Sequence, residues 1–322
     1  MKVAFDSRAV GEVSGVGRYS SSLLDALRAD GRGEVIESHD PRRCDVFHAP
    51  WLEGALLRCP VPMVVTLHDR VALKRRGAYP GLGLRFRLRC LAAQRATRVI
   101  VPTRAVADDA TAELQIPSER IVVIAEAAAA AFTRRSDAEV SDVRERLHLP
   151  DQYLLWVGDL RTPDPRKRVA ALARTDRSMA LVLAGPSGRW AHQLPGVTLT
   201  GAVSDEDLAA IYTGAHALVF PSDDEGFGLP PVEALACGTP VAASDVPALR
   251  EVLDGRAALS DVDDLQGLIR TAESLTRPAP APPAWTWGEA ASATWDLYAE
   301  AVSEPPRWRG ARRGDRAVKP VG

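Results

Sequence analysis

Two glutamates, Glu225 and Glu233, stand eight positions apart in Val219-Phe220-Pro221-Ser222-Asp223-Asp224-Glu225-Gly226-Phe227-Gly228-Leu229-Pro230-Pro231-Val232-Glu233-Ala234-Leu235-Ala236-Cys237-Gly238-Thr239-Pro240-Val241. An apolar β-rich run enters a loop carrying Gly226 and Gly228, and the residues from Pro231 to Cys237 read as a helix, since proline suits a first helical turn. Backbone N–H groups of such a loop are available to an anion or a sugar hydroxyl. With Glu225 at the loop and Glu233 inside the helix, one carboxylate can meet each end of an elongated ligand. The spacing alone equally describes two solvated acids, so the whole string is the signal. Asp223-Asp224 suggests a metal, but two adjacent loop acids are usually solvated. Gly15-x-Gly17 lacks the third glycine of a dinucleotide fingerprint. His39, His48, His148, His192 and His216 have no metal-ligand spacing, and Cys44, Cys59, Cys90 and Cys237 form no Cys-x-x-Cys pair. The four cysteines read as reduced thiols.

These groups need a scaffold, and the chain has length for two domains: 322 residues, 46% hydrophobic and 25% charged. Forty Lys plus Arg against forty-two Asp plus Glu give a net charge of -2, which offers no whole-chain reason for a nucleic-acid partner. No apolar run approaches the roughly 20 residues of a membrane span. Asp6 interrupts what would be the apolar core of a signal peptide, so the expected location is cytoplasmic.

Short β-rich runs alternate with helical stretches. Strands are expected at Lys2–Phe5, Val46–His48, Val64–Leu67, Val99–Val101 and Ile121–Ile124, and helices at Tyr19–Arg28, Leu84–Ala96 and Ala105–Leu114. The alternation restarts at Leu154–Gly158, Leu181–Gly185, Asp205–Gly214 and Ala217–Phe220. This predicts an α/β protein with two Rossmann-like halves facing a cleft, ligands lying at the carboxyl ends of the strands. The charged stretch from Thr133 to Pro150 suggests a boundary, giving domains 1–145 and 146–277. A Pro-rich linker and amphipathic helix follow (278–303), then a basic tail (304–322) of disordered composition.

Glu225 to Val241 resembles the Glu-x7-Glu motif of retaining nucleotide-sugar glycosyltransferases of the GT-B fold, glycosyltransferase family 4. The likeness extends over roughly Met1 to Val302. Ser14-Gly15-Val16-Gly17-Arg18-Tyr19 looks like the family's glycine loop, and Val64-Val65-Thr66-Leu67-His68-Asp69 like its strand ending in His-Asp. Val157-Gly158 with Pro165-Arg166-Lys167 looks like its diphosphate segment. Trp287-Gly288-Glu289-Ala290-Ala291 looks like a closing helix that crosses back to the first domain.

The resemblance implies roles. Lys167, with Arg166 or Arg161, would hold the donor diphosphate beside Gly158. Glu225 would accept hydrogen bonds from sugar hydroxyls, helped by the N–H groups of Phe227, Gly228 and Leu229. Glu233 would hold the ribose hydroxyls, and His68 would lie across the cleft near the transferred bond. Gly15 and Gly17 would let backbone approach the phosphates. Neither a metal nor another cofactor is implied. The partners would be a nucleotide sugar, GDP-mannose as first choice, and a glycan, lipid-linked or small-molecule acceptor. Peripheral inner-membrane contact would run through the basic 70–98 region.

Departures leave alternatives open. Asp159 stands where relatives carry arginine, Ala125 to Ala130 replaces a polar segment except at Glu126, and the connections Arg168–Met179 and Gly185–Thr200 are short. A non-catalytic subunit that activates a partner transferase, or a nucleotide-sugar epimerase on the same fold, are the rival readings.

Overall fold

The computed structural model describes residues 1–69 and 84–304. Two six-stranded sheets, every ladder parallel, form two α/β layers. In the first sheet the strands run Glu34–Glu37, Lys2–Phe5, Val46–Ala49, Met63–Thr66, Arg98–Val101 and Ile121–Val123. In the second the order is Ala258–Ser260, Val241–Ser244, Ala217–Phe220, Tyr153–Val157, Ala180–Ala184 and Val197–Leu199. Central strands such as Val46–Ala49, Met63–Thr66 and Tyr153–Val157 are buried along their whole length. That follows from parallel pairing, which places helices on both faces and selects continuous apolar runs. Among the described residues no helix is long and apolar enough to cross a membrane.

The helices begin where side chains can cap them. Ser14 accepts from the Gly17 N–H at the start of Gly15–Asp30, a helix that begins four residues before the expected Tyr19. Thr103 does the same for Arg104–Leu114. Full capping boxes, Ser136 with Glu139 and Thr286 with Glu289, open Asp137–Arg146 and Trp287–Ser303.

The stretch around the expected boundary at residue 145 packs with the second sheet. Helix Asp137–Arg146 packs on Asp205–Gly214, and Phe132, Val143 and Leu149 lie in the second sheet's core, so the chain crosses before Phe132. Its charged composition made that stretch read as a boundary; Val143 is the helix's one buried side chain. The return helix behaves as expected. Trp287–Ser303 packs along Gly15–Asp30, burying Ala291, Trp295 and Tyr298 among Leu23, Leu24 and Leu27. The Trp295 indole N–H donates to the Leu27 carbonyl at 3.2 Å, so the polar edge of the ring is satisfied in the core. Of the two short connections, Arg168–Met179 holds the six-residue helix Val169–Arg174, and Gly185–Thr200 holds a 3-10 turn, Ala191–Gln193, and the edge strand Val197–Leu199.

Candidate active site

Strand Ala217–Phe220 delivers Glu225 to the cleft, and helix Leu229–Ala236 leaves it. The helix starts two residues before the expected Pro231, with Pro230 in its first turn. Gly228 adopts φ 89°, a left-handed conformation that suits glycine, and a β-carbon there would lie 2.5 Å from Leu249 Cδ2. Gly226 is held more tightly still: a β-carbon would stand 1.6 Å from the backbone oxygen of His68, in the other domain. Thr103 Oγ1 donates to the Gly226 carbonyl at 2.9 Å, adding a second first-domain hold on this loop. Phe227 and Leu229 turn their side chains into the core, Phe227 against Trp285, which leaves their backbones to serve a ligand.

The cations sort themselves by depth. Arg166, in the turn Pro165–Lys167, is largely buried and reaches Asp69 Oδ2 at 3.0 Å, Asp164 Oδ2 at 3.2 Å and Glu225 Oε2 at 3.7 Å. Burial opposes its charge, but Glu225, Asp69 and Asp164 outweigh that and raise its pKa. Lys167 Nζ lies 5.8 Å from the centroid of the Trp156 ring, and a β-carbon on Gly158 would meet it at 3.3 Å, so the glycine gives the lysine its path along the strand end. Arg161 is placed differently. It is exposed, bound to Asp159 at 2.6 Å, and donates to the Val13 carbonyl of the facing domain at 3.4 Å, so it sits at the rim. Between the two arginines the sequence left open, Arg166 is the one brought against Glu225.

Desolvation raises the Glu225 pKa, with Arg166 and then Lys167 opposing it. Glu233 is more deeply enclosed. Burial raises its pKa first, against the charge of Arg18 and a hydrogen bond from Tyr212, whose hydroxyl donates to Oε2 at 2.9 Å. Arg18 arrives from the first domain: Nη1 lies 3.3 Å from Glu233 Oε1, Nη2 donates to Asp205 Oδ1 at 2.9 Å, and the guanidinium sits 4.8 Å from the Phe132 ring centroid.

His68 follows strand Met63–Thr66. Its Nε2 lies 2.8 Å from the Pro50 carbonyl and its Nδ1 lies 3.2 Å from Glu126 Oε1. Both partners are acceptors, an arrangement fully satisfied only by an imidazolium with two N–H groups. Burial lowers the His68 pKa, but the hydrogen bond and charge of Glu126, the Pro50 carbonyl and Asp69 outweigh it, and the net direction is up. The backbone oxygen of His68 abuts Gly226.

The glycine loop divides. Gly15 opens helix Gly15–Asp30 with nothing within 4 Å of a β-carbon, consistent with space at the cleft. At Gly17 a β-carbon would stand 2.1 Å from the Glu12 carbonyl oxygen, so the fold of its own loop needs glycine there.

Arg18, Tyr212 and Glu126 carried no assigned role in the sequence. The signals were thin: Arg18 directly follows Gly17, and Glu126 is the lone acid in an alanine run. Asp69, the acid of the His-Asp strand end, bridges to Arg166. His48 lies in the core, bonded to Tyr298 at 2.6 Å and Thr66 at 2.9 Å, and burial, then the charge of His68, pushes its pKa down to about 3. No cluster of three His, Cys, Asp or Glu side chains suited to a metal occurs among the described residues. Of the basic 70–98 run, residues 70–83 lie outside the described residues. Arg89 and Arg95 donate to the Ala55 and Leu57 carbonyls, and Arg98 pairs with Glu304 at 2.5 Å.

Residues 151–277 match the model "Glycosyl transferases group 1" and residues 26–127 match "Glycosyltransferase Family 4". A D-inositol 3-phosphate glycosyltransferase of Xylanimonas cellulosilytica is 30% identical over 88% of this chain and 75% of its own. Escherichia coli O-antigen chain mannosyltransferase B is 33% identical over 47% of this chain; the match spans 44% of that longer protein. Anabaena HepE, solved with UDP-glucose, superposes with a TM-score of 0.68 at 17% identity, covering 94% of this chain and 95% of its own. The chain belongs to glycosyltransferase family 4, on the GT-B fold.

Proposed function

We propose that the protein transfers a hexosyl group from a nucleotide-diphosphate sugar to an acceptor hydroxyl, with retention at the anomeric carbon. The observation that carries this reading is buried Arg166, joined to Glu225 and, through Asp69, to the facing domain, with Lys167 beside it. As the glycosidic bond breaks, negative charge grows on the leaving β-phosphate. Fixed cations in a water-poor cleft stabilise that charge without reorganising. Glu225 accepts from sugar hydroxyls, and backbone N–H groups at the start of helix Leu229–Ala236 meet the same ligand. The His68 imidazolium, facing from the first domain, adds positive charge near the departing group. With both ring nitrogens engaged by Pro50 and Glu126, it is not set to act as a base. Glu225 serves as a hydroxyl acceptor and not as a glycosidase-type nucleophile.

GDP-mannose is the first donor to test, given the mannosyltransferase among the relatives; the acceptor is a glycan, a lipid-linked glycan or a small polyol. Catalysis proceeds without a metal, in the cytoplasm, with the first domain resting on the inner membrane face for lipid-linked acceptors. The deciding experiment is thermal stabilisation by a panel of nucleotide sugars, with Lys167→Ala and Glu233→Ala as controls. A shift with one donor, lost in both variants, supports the reading. No shift with any donor at millimolar concentration favours a non-catalytic partner subunit, a reading kept alive by Asp159, which engages Arg161 at the rim.

A further inference from the structure

We propose that Arg18 is a donor-recognition residue that reads the ribose diol across the domain interface, together with Glu233. The inference rests on the donor-site reading above and adds to it a residue from the opposite domain. Arg18 is held from two sides: Asp205 takes its Nη2 at 2.9 Å, and the Phe132 ring lies under the guanidinium at 4.8 Å. Its Nη1 is thereby presented to Glu233 Oε1 at 3.3 Å.

Those two facing atoms are sealed from solvent, yet neither completes a hydrogen bond. The other carboxylate oxygen is occupied by the Tyr212 hydroxyl. Leaving a buried charged donor and a buried charged acceptor without a bond is costly, and such atoms call for a partner. A hydroxyl supplies what both lack: set to one side, it accepts from Nη1 and donates to Oε1. A ribose carries two adjacent hydroxyls, so one can occupy this position while its neighbour reaches the same carboxylate.

Arg18 lies on helix Gly15–Asp30 of the first domain and Glu233 on helix Leu229–Ala236 of the second. The pair therefore forms only when the domains meet. A nucleotide is taken up by the second domain, and Arg18 closes on its ribose as the cleft shuts. Correct sugar chemistry in the nucleotide then favours the closed form, in the manner of induced fit.

The test is calorimetric titration of the full chain with GDP and UDP and with their 2′-deoxy counterparts. Wild type is expected to prefer the ribonucleotide by about tenfold or more, the range of a charge-assisted hydrogen bond. Arg18→Met should compress that preference to about threefold or less, mainly by weakening the ribonucleotide. Asp205→Asn, an exposed change that removes the charge holding Arg18, should compress it partway, and it carries the test if Arg18→Met fails to fold. An unchanged ratio in both variants overturns the inference while leaving the donor site standing. Tighter ribonucleotide binding by Arg18→Met also overturns it, since Arg18 would then compete with the ligand. Failure of wild type to bind any of the four nucleotides overturns the donor-site reading and this one with it.

Discussion

The backbone oxygen of His68 lies against Gly226 so closely that a β-carbon at residue 226 would stand 1.6 Å from it. The contact joins the loop that carries Glu225 to the end of the first-domain strand that carries His68. Because both obstructing groups are backbone, neither can swing aside. The relation between the two halves of the site is thus set by the absence of one side-chain carbon.

Gly226→Ala should leave each domain folded, because the clash is relieved by separating the halves and not by unfolding either. Transfer activity should fall on the order of 10²-fold, the cost of misplacing reacting groups by about 1 Å. Circular dichroism with steady-state kinetics checks both parts. Near-wild-type activity would mean that closure of this contact is not required.

Lys167→Ala should lower kcat by about 10²–10³, corresponding to about 3 kcal/mol, as expected for loss of one charge-stabilising donor. Arg161→Ala should cost under about tenfold, since its exposed charge is engaged by Asp159 at the rim. Equal losses in the two variants would contradict the depth ordering seen in the structure.

Glu126→Gln should lower the His68 titration midpoint, followed by NMR of the ring C–H signals. In the wild type burial opposes the imidazolium, and Glu126, with the Pro50 carbonyl and Asp69, outweighs it. With the carboxylate gone, desolvation dominates and the midpoint should move below the usual value of about 6.5. The sign for stability follows from a raised folded-state pKa. The His68–Glu126 contribution is fully present below about pH 6.5 and is lost as pH rises through the folded-state value. A midpoint unmoved by the substitution would remove Glu126 as the cause.

Trp295→Ala should destabilise the protein by about 3–5 kcal/mol, the range for deleting a buried aromatic side chain. The ring is fully enclosed between the return helix and helix Gly15–Asp30. Denaturant unfolding measures the effect, and a loss under about 1 kcal/mol would show that the return helix is dispensable for the first domain.

Turnover should be undiminished in excess EDTA, since the roles assigned to Arg166 and Lys167 supply the phosphate-neutralising charge. A loss of all turnover, restored by a divalent cation, would overturn the metal-free proposal.

Local order in the chain determined a good deal. Apolar runs of four or five residues alternating with helical stretches specify buried parallel strands, because such strands are covered on both faces and show no polar alternation. The string from Val219 to Val241 specifies strand, loop and helix in succession, and with them the placement of two carboxylates. The return helix was legible from its helical apolar spacing after a proline-rich segment. What stayed hidden depends on contacts between residues far apart in sequence. Asp137–Arg146 falls in a stretch that reads as a charged boundary because one buried valine is a weak signal, and only packing against Asp205–Gly214 joins it to the second sheet's core. Arg161 and Arg166 are equivalent as residue types; the fold turns one to Asp159 at the rim and the other to Asp69 and Glu225. His68 meets Glu126, and Glu233 meets Arg18, through approaches that no local periodicity encodes. Short-range pattern sets which face of an element is buried, whereas the distance between charges on two domains, and hence their electrostatics, is decided only when the sheets are brought together.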